Sequence, residues 1–267
     1  MQKQDVLNQG WLMAQVTRRF FLLSSAALSV GCALRQPGAV ATTPAPGIRQ
    51  PVVGQSWRYA KHDLFTRAIV DIQVDRVAAI NGTVEIDSSA EAAKDQKSAN
   101  SRWGAEFLRK YVARRDTPGG ELPSEIQDPW GMVLVDPHWA QVQVYERPIP
   151  LWPEQLQPGW QTEIATKYKT PLNQEGLAWG QTMKARDWET ITVPAGQFKT
   201  LRFTNLIKYR NGDMARTDSV RQETVWFAPE VGRWVARESK GSYYVEDSLI
   251  VQPYNESAFR WELLEWS

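Results

Sequence analysis

The sequence is poor in the side chains that most often carry enzyme chemistry. Its 267 residues contain one cysteine, Cys32, and two histidines, His62 and His138. A single cysteine excludes a disulfide within the chain. Zinc-binding spacings of His or Cys, the Gly-x-Ser-x-Gly sequence of serine hydrolases and the glycine motifs that bind nucleotides are all absent. The sequence therefore predicts neither a metal site nor a cofactor.

An excess of one charge and a long apolar run are also missing. Residues 1–31 hold three of the 31 basic and one of the 30 acidic side chains, so 28 and 29 remain in residues 32–267. Without a basic excess or cluster, we expect no binding to nucleic acid. The apolar stretch from Phe20 to Val30 spans about 16 Å as a helix, and a membrane core is about 30 Å thick. This stretch is too short to be a transmembrane helix.

The N-terminal region does contain the three parts of an export signal. Arg18 and Arg19 precede the apolar stretch, and small residues lead from it into Cys32. We therefore expect residues 1–31 to be a signal peptide, with Met1 or Met13 as its start. A buried N-terminal helix is the alternative interpretation.

Two short motifs in this region resemble known export sequences. Ser29-Val30-Gly31-Cys32 resembles the lipobox of bacterial lipoproteins, although the family prefers Leu at the position of Ser29. The resemblance implies acyl chains such as palmitate on Cys32, which attach the protein to membrane lipid. Thr17-Arg18-Arg19-Phe20-Phe21-Leu22 is similar to the twin-arginine motif, with the Sec route as the alternative. Because Ala33 replaces the Asp of inner-membrane retention signals, the resemblance implies the periplasmic face of the outer membrane rather than the inner membrane.

Beyond Cys32 the composition divides the chain into a tether and a β domain. Residues 32–53 are rich in Pro, Ala, Thr and Gly, which predicts a flexible, lipidated tether. From residue 54 onward apolar and polar residues alternate, as in β-strands, except over residues 88–128, where a loop is predicted and Trp103 to Arg114 fits a short helix or a strand. We predict an all-β domain over residues 54–267: an antiparallel curved sheet, a half-open barrel or a sandwich, after a disordered N-terminal tether. Two related halves, 54–150 and 151–267, are a further hypothesis.

The strand pattern also assigns faces and turns. From Ala68 to Ile80, apolar side chains occupy even positions up to Val74, so Asp75 is expected on the solvent face. Asn81-Gly82 then predicts a tight hairpin before Val84. Further turns are predicted at Pro194-Ala195-Gly196, Asn211-Gly212 and Pro229-Glu230-Val231-Gly232.

Residues 158–239 resemble a β-rich domain of uncharacterised bacterial cell-envelope proteins. The matching segments are Pro158-Gly159-Trp160, Val193-Pro194-Ala195-Gly196-Gln197-Phe198 and Trp226-Phe227-Ala228-Pro229. Because these are turn motifs, the resemblance implies a fold and a compartment and supplies no catalytic residue.

Tryptophan provides the main candidates for ligand contact, since 12 of the 13 lie after Cys32. Four are near predicted turns: Trp130, Trp139, Trp152 and Trp160. An indole in such a place contacts a ligand or fills the core, and both interpretations stay open. An apolar ligand, a glycan or another envelope protein are the hypothetical partners.

Carboxylates support an alternative hypothesis, an envelope hydrolase, since glycosidases use two carboxylates about 5–10 Å apart. Two groups fit it: the loop carboxylates Glu121, Glu125 and Asp128 near Trp130, and the Asp136/His138 pair. The histidine also fits half of a metal site or a capped turn residue. We predict a non-catalytic binding or scaffold protein, with the hydrolase and a structural component of an envelope assembly as alternatives.

Overall fold

Antiparallel strands make up most of the computed structural model, which describes residues 47–91, 124–129, 131–139, 141–213, 215–245 and 252–267. These residues belong to one compact unit, Thr43–Ser267, and form 13 strands and no helix. The strands are β1 (Ser56–Asp63), β2 (Ile69–Ile80), β3 (Val84–Glu91), β4 (Glu125–Gln127), β5 (Met132–Asp136), β6 (Gln143–Pro150), β7 (Gln161–Thr170), β8 (Asn173–Val193), β9 (Gly196–Tyr209), β10 (Arg216–Ala228), β11 (Arg233–Val245), β12 (Tyr254–Asn255) and β13 (Phe259–Trp266). In the part of the chain that is described, no helix is long and apolar enough to span a bilayer.

The strands close into a barrel. Each of β1 to β10 pairs with its neighbour in the chain, β13 lies between β1 and β11, and β10 pairs with β11 to complete the ring. Among the described residues, 12 strands form the ring and β12 pairs outside it with β11. This confirms the prediction of an all-β antiparallel fold, and of the predicted forms it is the barrel, closed rather than half-open.

The predicted turns are confirmed. Asn81-Gly82 joins β2 to β3, Pro194-Ala195 joins β8 to β9, and Pro229–Gly232 joins β10 to β11. Gly82 has a φ of +79° and Gly232 a φ of +73°, in the left-handed region that glycine adopts without a steric penalty. Asn211-Gly212 lies in the connection from β9 to β10.

Residues 47–53, the last part of the predicted tether, lie against the barrel. Arg49 N–H donates to the Pro229 carbonyl at 2.8 Å, and Ile48 packs against the core. The described chain therefore enters at the end of the barrel that carries the β10–β11 turn. The rest of the tether and the predicted signal peptide lie outside the described residues.

Two apolar clusters fill the barrel. The first takes side chains from strands at both ends of the chain, including Trp57, Phe203 and Phe227. The second is mainly aromatic and comes from residues 133–209, with Trp179 at its centre. Buried charged residues lie inside the same barrel.

The face assigned to Asp75 was wrong. Asp75 is fully buried, and Val77 points inward beside it, whereas Val70 is exposed near the start of β2. Alternation assigns faces by polarity alone. A carboxylate whose partner is a buried guanidinium therefore has the pattern of a surface residue.

Candidate functional site

An ion cluster inside the barrel is centred on Arg233, at the start of β11, with a side chain only 2% exposed. Arg233 Nη2 donates to Asp75 Oδ2 at 3.0 Å and to Glu125 Oε2 at 3.3 Å, and Nη1 donates to Glu125 Oε1 at 3.3 Å. Burial raises the pKa of Asp75, but the guanidinium and the nearby imidazole outweigh it and hold that pKa well below its usual range. Asp75 is thus ionised, and both carboxylates accept hydrogen bonds from one cation.

His138, in the turn after β5, completes this cluster. Its Nδ1 lies 3.0 Å from Asp136 Oδ1 and 3.3 Å from Glu125 Oε2. Its Nε2 lies 3.1 Å from Ser88 Oγ, which itself donates to Asp75 at 2.7 Å and so accepts from the imidazole. Burial lowers the pKa of His138, but hydrogen bonds to the two aspartates raise it to about 10. At neutral pH His138 is an imidazolium and holds both its protons.

A second layer of charge lies next to the first. Arg237 Nη2 donates to Glu223 Oε1 at 2.5 Å, and Asn205 Nδ2 donates to Glu223 Oε2 at 3.3 Å. Asp136 Oδ2 accepts from the indole N–H of Trp139 at 2.9 Å. Asn205 Oδ1 and Arg237 Nε have no hydrogen-bond partner among the described residues.

The cavity beside this layer has a volume of about 30 Å³ and is lined by Asp136, Asn205, Glu223 and Arg237 among others. That volume corresponds to about one water molecule, which the unpaired atoms of Asn205 and Arg237 would bind. Within the described ranges, no three His, Cys, Asp or Glu side chains are placed to hold a metal ion.

The structure brings together residues that belonged to separate hypotheses. Glu125 and the Asp136/His138 pair meet at one imidazole. Glu125 lies on strand β4 and is buried, so its expected place in a loop is corrected: β4 pairs with β3, and Arg233 compensates the buried charge. Asp128 lies in the following turn, where its Oδ1 accepts from Met132 N–H at 2.8 Å. Glu121 lies outside the described residues.

The arrangement is suited to holding charge rather than to moving protons. A general acid at neutral pH needs a raised carboxyl pKa, and a general base needs a free lone pair. The pKa of Asp136 is lowered, since its bonds to His138 outweigh the effect of burial. His138 has no free lone pair while both its nitrogens are protonated. No substrate fits the cavity of about 30 Å³.

The tryptophans proposed for ligand contact are mostly core side chains. Trp139 is buried edge-on against Trp179 at a centroid distance of 5.2 Å, and Trp152 is buried against Phe227 at 5.0 Å. Trp160 is half-buried against the first cluster. Trp130 lies outside the described residues, as do Cys32, Arg18 and Arg19, and their roles stay predictions.

An open cleft of about 870 Å³ lies at the end of the barrel away from the chain entry. Strands β8, β9 and β10 and the β9–β10 connection line it, with mixed charges: Lys208, Arg210 and Arg216 beside Glu175, Asp213 and Asp218. Asp218 has a φ of +47° and lies in a bulge where the β10–β11 register shifts. Bulges and left-handed non-glycine residues are enriched at binding sites.

The same end exposes two large apolar side chains at hairpin tips. Phe65, between β1 and β2, is 95% exposed, and Leu172, between β7 and β8, is 83% exposed. Asp63 Oδ1 fixes the first tip by accepting from Phe65 N–H at 2.9 Å and from Thr66 N–H at 2.7 Å. No sequence pattern marks these positions, because a single apolar residue in a turn has the same pattern whether it is buried or exposed.

Comparisons with known proteins identify no family. No family model and no curated protein matches the sequence. Two solved structures are distantly similar to 84% of this chain over their full lengths. One is described as a "putative lipoprotein" from Parabacteroides distasonis, with 12% identity and a TM-score of 0.44. The other is described as a "putative exported protein with YmcC-like fold" from Bacteroides fragilis, with 11% identity and a TM-score of 0.46.

Proposed function

We propose that this protein is a lipid-anchored lipoprotein at the periplasmic face of the outer membrane and acts as a scaffold by binding another envelope protein. The single observation that carries the proposal is the filled interior. Two apolar clusters and an ion cluster occupy the barrel, and the cavity between them measures about 30 Å³. The outer surface is therefore the part of the described molecule that is open to a partner.

The anchor is supported by the sequence. The lipobox-like segment ending at Cys32 and the proline-rich residues that follow it fit an acylated, tethered chain. One acyl chain gives only marginal membrane binding, whereas two or three hold a protein stably.

Carriage of an apolar ligand is disfavoured by the same interior. Sites for small molecules are concave, mostly apolar and about 300–1,000 Å³ in volume. The large apolar side chains inside this barrel contact one another instead, as Trp179 does with Trp139 and Tyr145. Hydrolysis is disfavoured by the charges, since Glu125 is bound to Arg233, and Asp136 and His138 are bound to each other.

The proposal is tested by native mass spectrometry of the full chain, purified in detergent from its own envelope. We expect a complex with a second protein, and no lipid or glycan in stoichiometric amount beyond the acyl chains on Cys32. A stoichiometric lipid or glycan on an otherwise bare chain contradicts the proposal.

The matched control for the anchor is Cys32→Ser. We expect this variant to lose acyl-chain labelling and to leave the membrane fraction. Full membrane association of the unlabelled variant contradicts the lipid anchor and leaves the binding role to be judged by the mass spectra.

Glycan binding in the open cleft is a second candidate, favoured by the strained Asp218 in its wall and by its mixed charges. Titration calorimetry with soluble charged oligosaccharides tests it. We expect Asp218→Ala to weaken such binding and Asp187→Ala, at an exposed position on β8, to leave it unchanged. Equal binding by both variants removes this candidate.

A further inference from the structure

Strand β7 is paired fully on one side and barely on the other. Its pairing with β8 runs from Gln161 to Thr170. Its pairing with β6 is limited to two positions, Val144 with Lys169 and Tyr145 with Tyr168. In the described structure the first part of β7, residues 161–165, is therefore an edge within an otherwise closed sheet.

The hydrogen bonds of β8 fix which backbone groups point to that edge. Ala185 N–H donates to the Trp160 carbonyl at 2.8 Å, so the backbone of Trp160 faces β8. Residues of an antiparallel strand direct their backbone groups alternately to the two sides. Hence Gln161, Glu163 and Ala165 direct their N–H and C=O groups away from β8, toward the edge.

The described part of the chain does not cover these groups. Pro148 and Pro150 of β6 have no N–H to donate, and the pairing of β6 with β7 does not extend past Tyr145. The connection that follows sends Trp152 and Leu156 into the core instead. Outside β8, none of the described residues makes a backbone hydrogen bond to Gln161, Glu163 or Ala165.

The edge is only weakly protected against pairing. Natural edge strands are blocked by proline, by charge or by very short length. Residues 161–165 contain no proline and one charge, that of Glu163. The side chains of Gln161, Glu163 and Ala165 are exposed.

We propose that residues 161–165 of β7 accept an extended segment of a different envelope protein as an additional strand. Backbone groups of this kind are recognised by strand addition, which gives affinity through main-chain hydrogen bonds. The partner segment carries a basic residue opposite Glu163, because opposite charges across a strand pair are favourable. The inference rests on the proposed function and names the surface through which it operates.

A second copy of this chain is a poor occupant. The two-fold antiparallel pairing that overlaps all five edge residues is centred on Glu163. It places Glu163 directly opposite Glu163 of the partner copy, and like charges in that position are destabilising. The edge is thus protected against self-pairing while it stays open to a basic strand.

The experiment uses the full chain in its own envelope, with a photo-crosslinking phenylalanine in place of Gln161. We expect one adduct with another protein. Ala165→Pro removes an outward N–H without removing a bond to β8, and we expect it to reduce the adduct about tenfold. The matched control Ala165→Val keeps that N–H and retains the adduct.

Two further measurements keep the test decisive. Thermal unfolding of Ala165→Pro and Ala165→Val shows whether both variants fold. If the proline variant does not, Glu163→Lys serves instead, and we expect it to reduce the adduct because it repels a basic strand.

The inference is overturned by any of three results: no adduct at position 161, equal adducts from the proline and valine variants, or an adduct with a second tagged copy of this chain. If a protein partner still copurifies in full with the proline variant, the edge is wrong and the scaffold role stands. If no protein partner copurifies with the unmodified chain, the proposed function itself fails.

Discussion

The barrel interior and the edge of β7 both carry groups that require partners, and they differ in where the partners come from. Inside, Arg233 is bound by Asp75 and Glu125 of the same chain. At the edge, no described residue forms an ion pair with Glu163 or a backbone hydrogen bond to the outward groups around it. Removing one partner of a buried ion pair strongly destabilises a fold, whereas polar groups without a partner at the surface are where binding is expected.

We expect the largest loss of stability from removing Arg233, the cation at the centre of the barrel interior. Arg233→Met leaves two buried carboxylates without their cation, and we expect the free energy of unfolding to fall by about 3–5 kcal/mol. Urea unfolding of the detergent-solubilised protein measures it. The control is Arg58→Met, which removes an ion pair at 3.4 Å whose side chains are 35% and 68% exposed. That change is expected to cost at most about 1 kcal/mol, and equal losses would show that the interior charges are not specially important.

The pH dependence of stability tests the imidazolium of His138. Its pKa is about 10 in the folded protein and 6.5 as an unperturbed group. The folded state therefore keeps a proton that the unfolded state loses, so the stabilisation is complete below pH 6.5 and is lost as the pH rises toward 10. We expect a decline of up to about 1.4 kcal/mol per pH unit between those limits. In His138→Gln this slope should disappear, and an unchanged slope would contradict the geometry of the cluster.

A substitution at Glu163 tests whether this charge prevents self-association through the edge of β7. Glu163→Val removes the charge that opposes self-pairing, a repulsion of up to about 1 kcal/mol, and leaves an apolar open edge. We expect the purified variant to form dimers or larger species, measured by light scattering coupled to size exclusion. The matched control is Glu85→Val on β3, which is paired on both sides. Self-association of both variants alike would show that exposed valine, not the open edge, is responsible.

The smallest effect is expected at Asp218. A backbone φ of +47° is strained for a residue with a side chain, and Asp218→Gly relieves that strain. We therefore expect the free energy of unfolding to rise by about 0.5 kcal/mol. Asp187→Gly, at an exposed position of β8, should lower the free energy of unfolding by about 0.5–1 kcal/mol, because glycine there only adds conformational freedom to the unfolded chain. Thermal unfolding compares the two, and a loss at both positions would contradict the strain.

The sequence predicted local structure better than it predicted the candidate sites. Asn81-Gly82 and Pro229–Gly232 are turns because of backbone preferences that neighbouring residues determine. The place of Asp75 could not be predicted, since its partner Arg233 is 158 residues away. The sequence indicates Glu125 and His138 as separate candidates, but only the pairing of β4 with β3 and β5 brings them to the same point.

The sequence alone is enough to predict the turns and the antiparallel all-β class, because alternation and turn chemistry act over a few residues. It also provides the prediction of an anchor at Cys32, which depends on a short contiguous motif. The tertiary structure was needed to see that the ring closes, that four carboxylates, two guanidinium groups and one imidazole meet inside it, and that residues 161–165 of β7 form an edge among the described residues. Those features depend on contacts between residues far apart in the chain, and no local pattern carries such information.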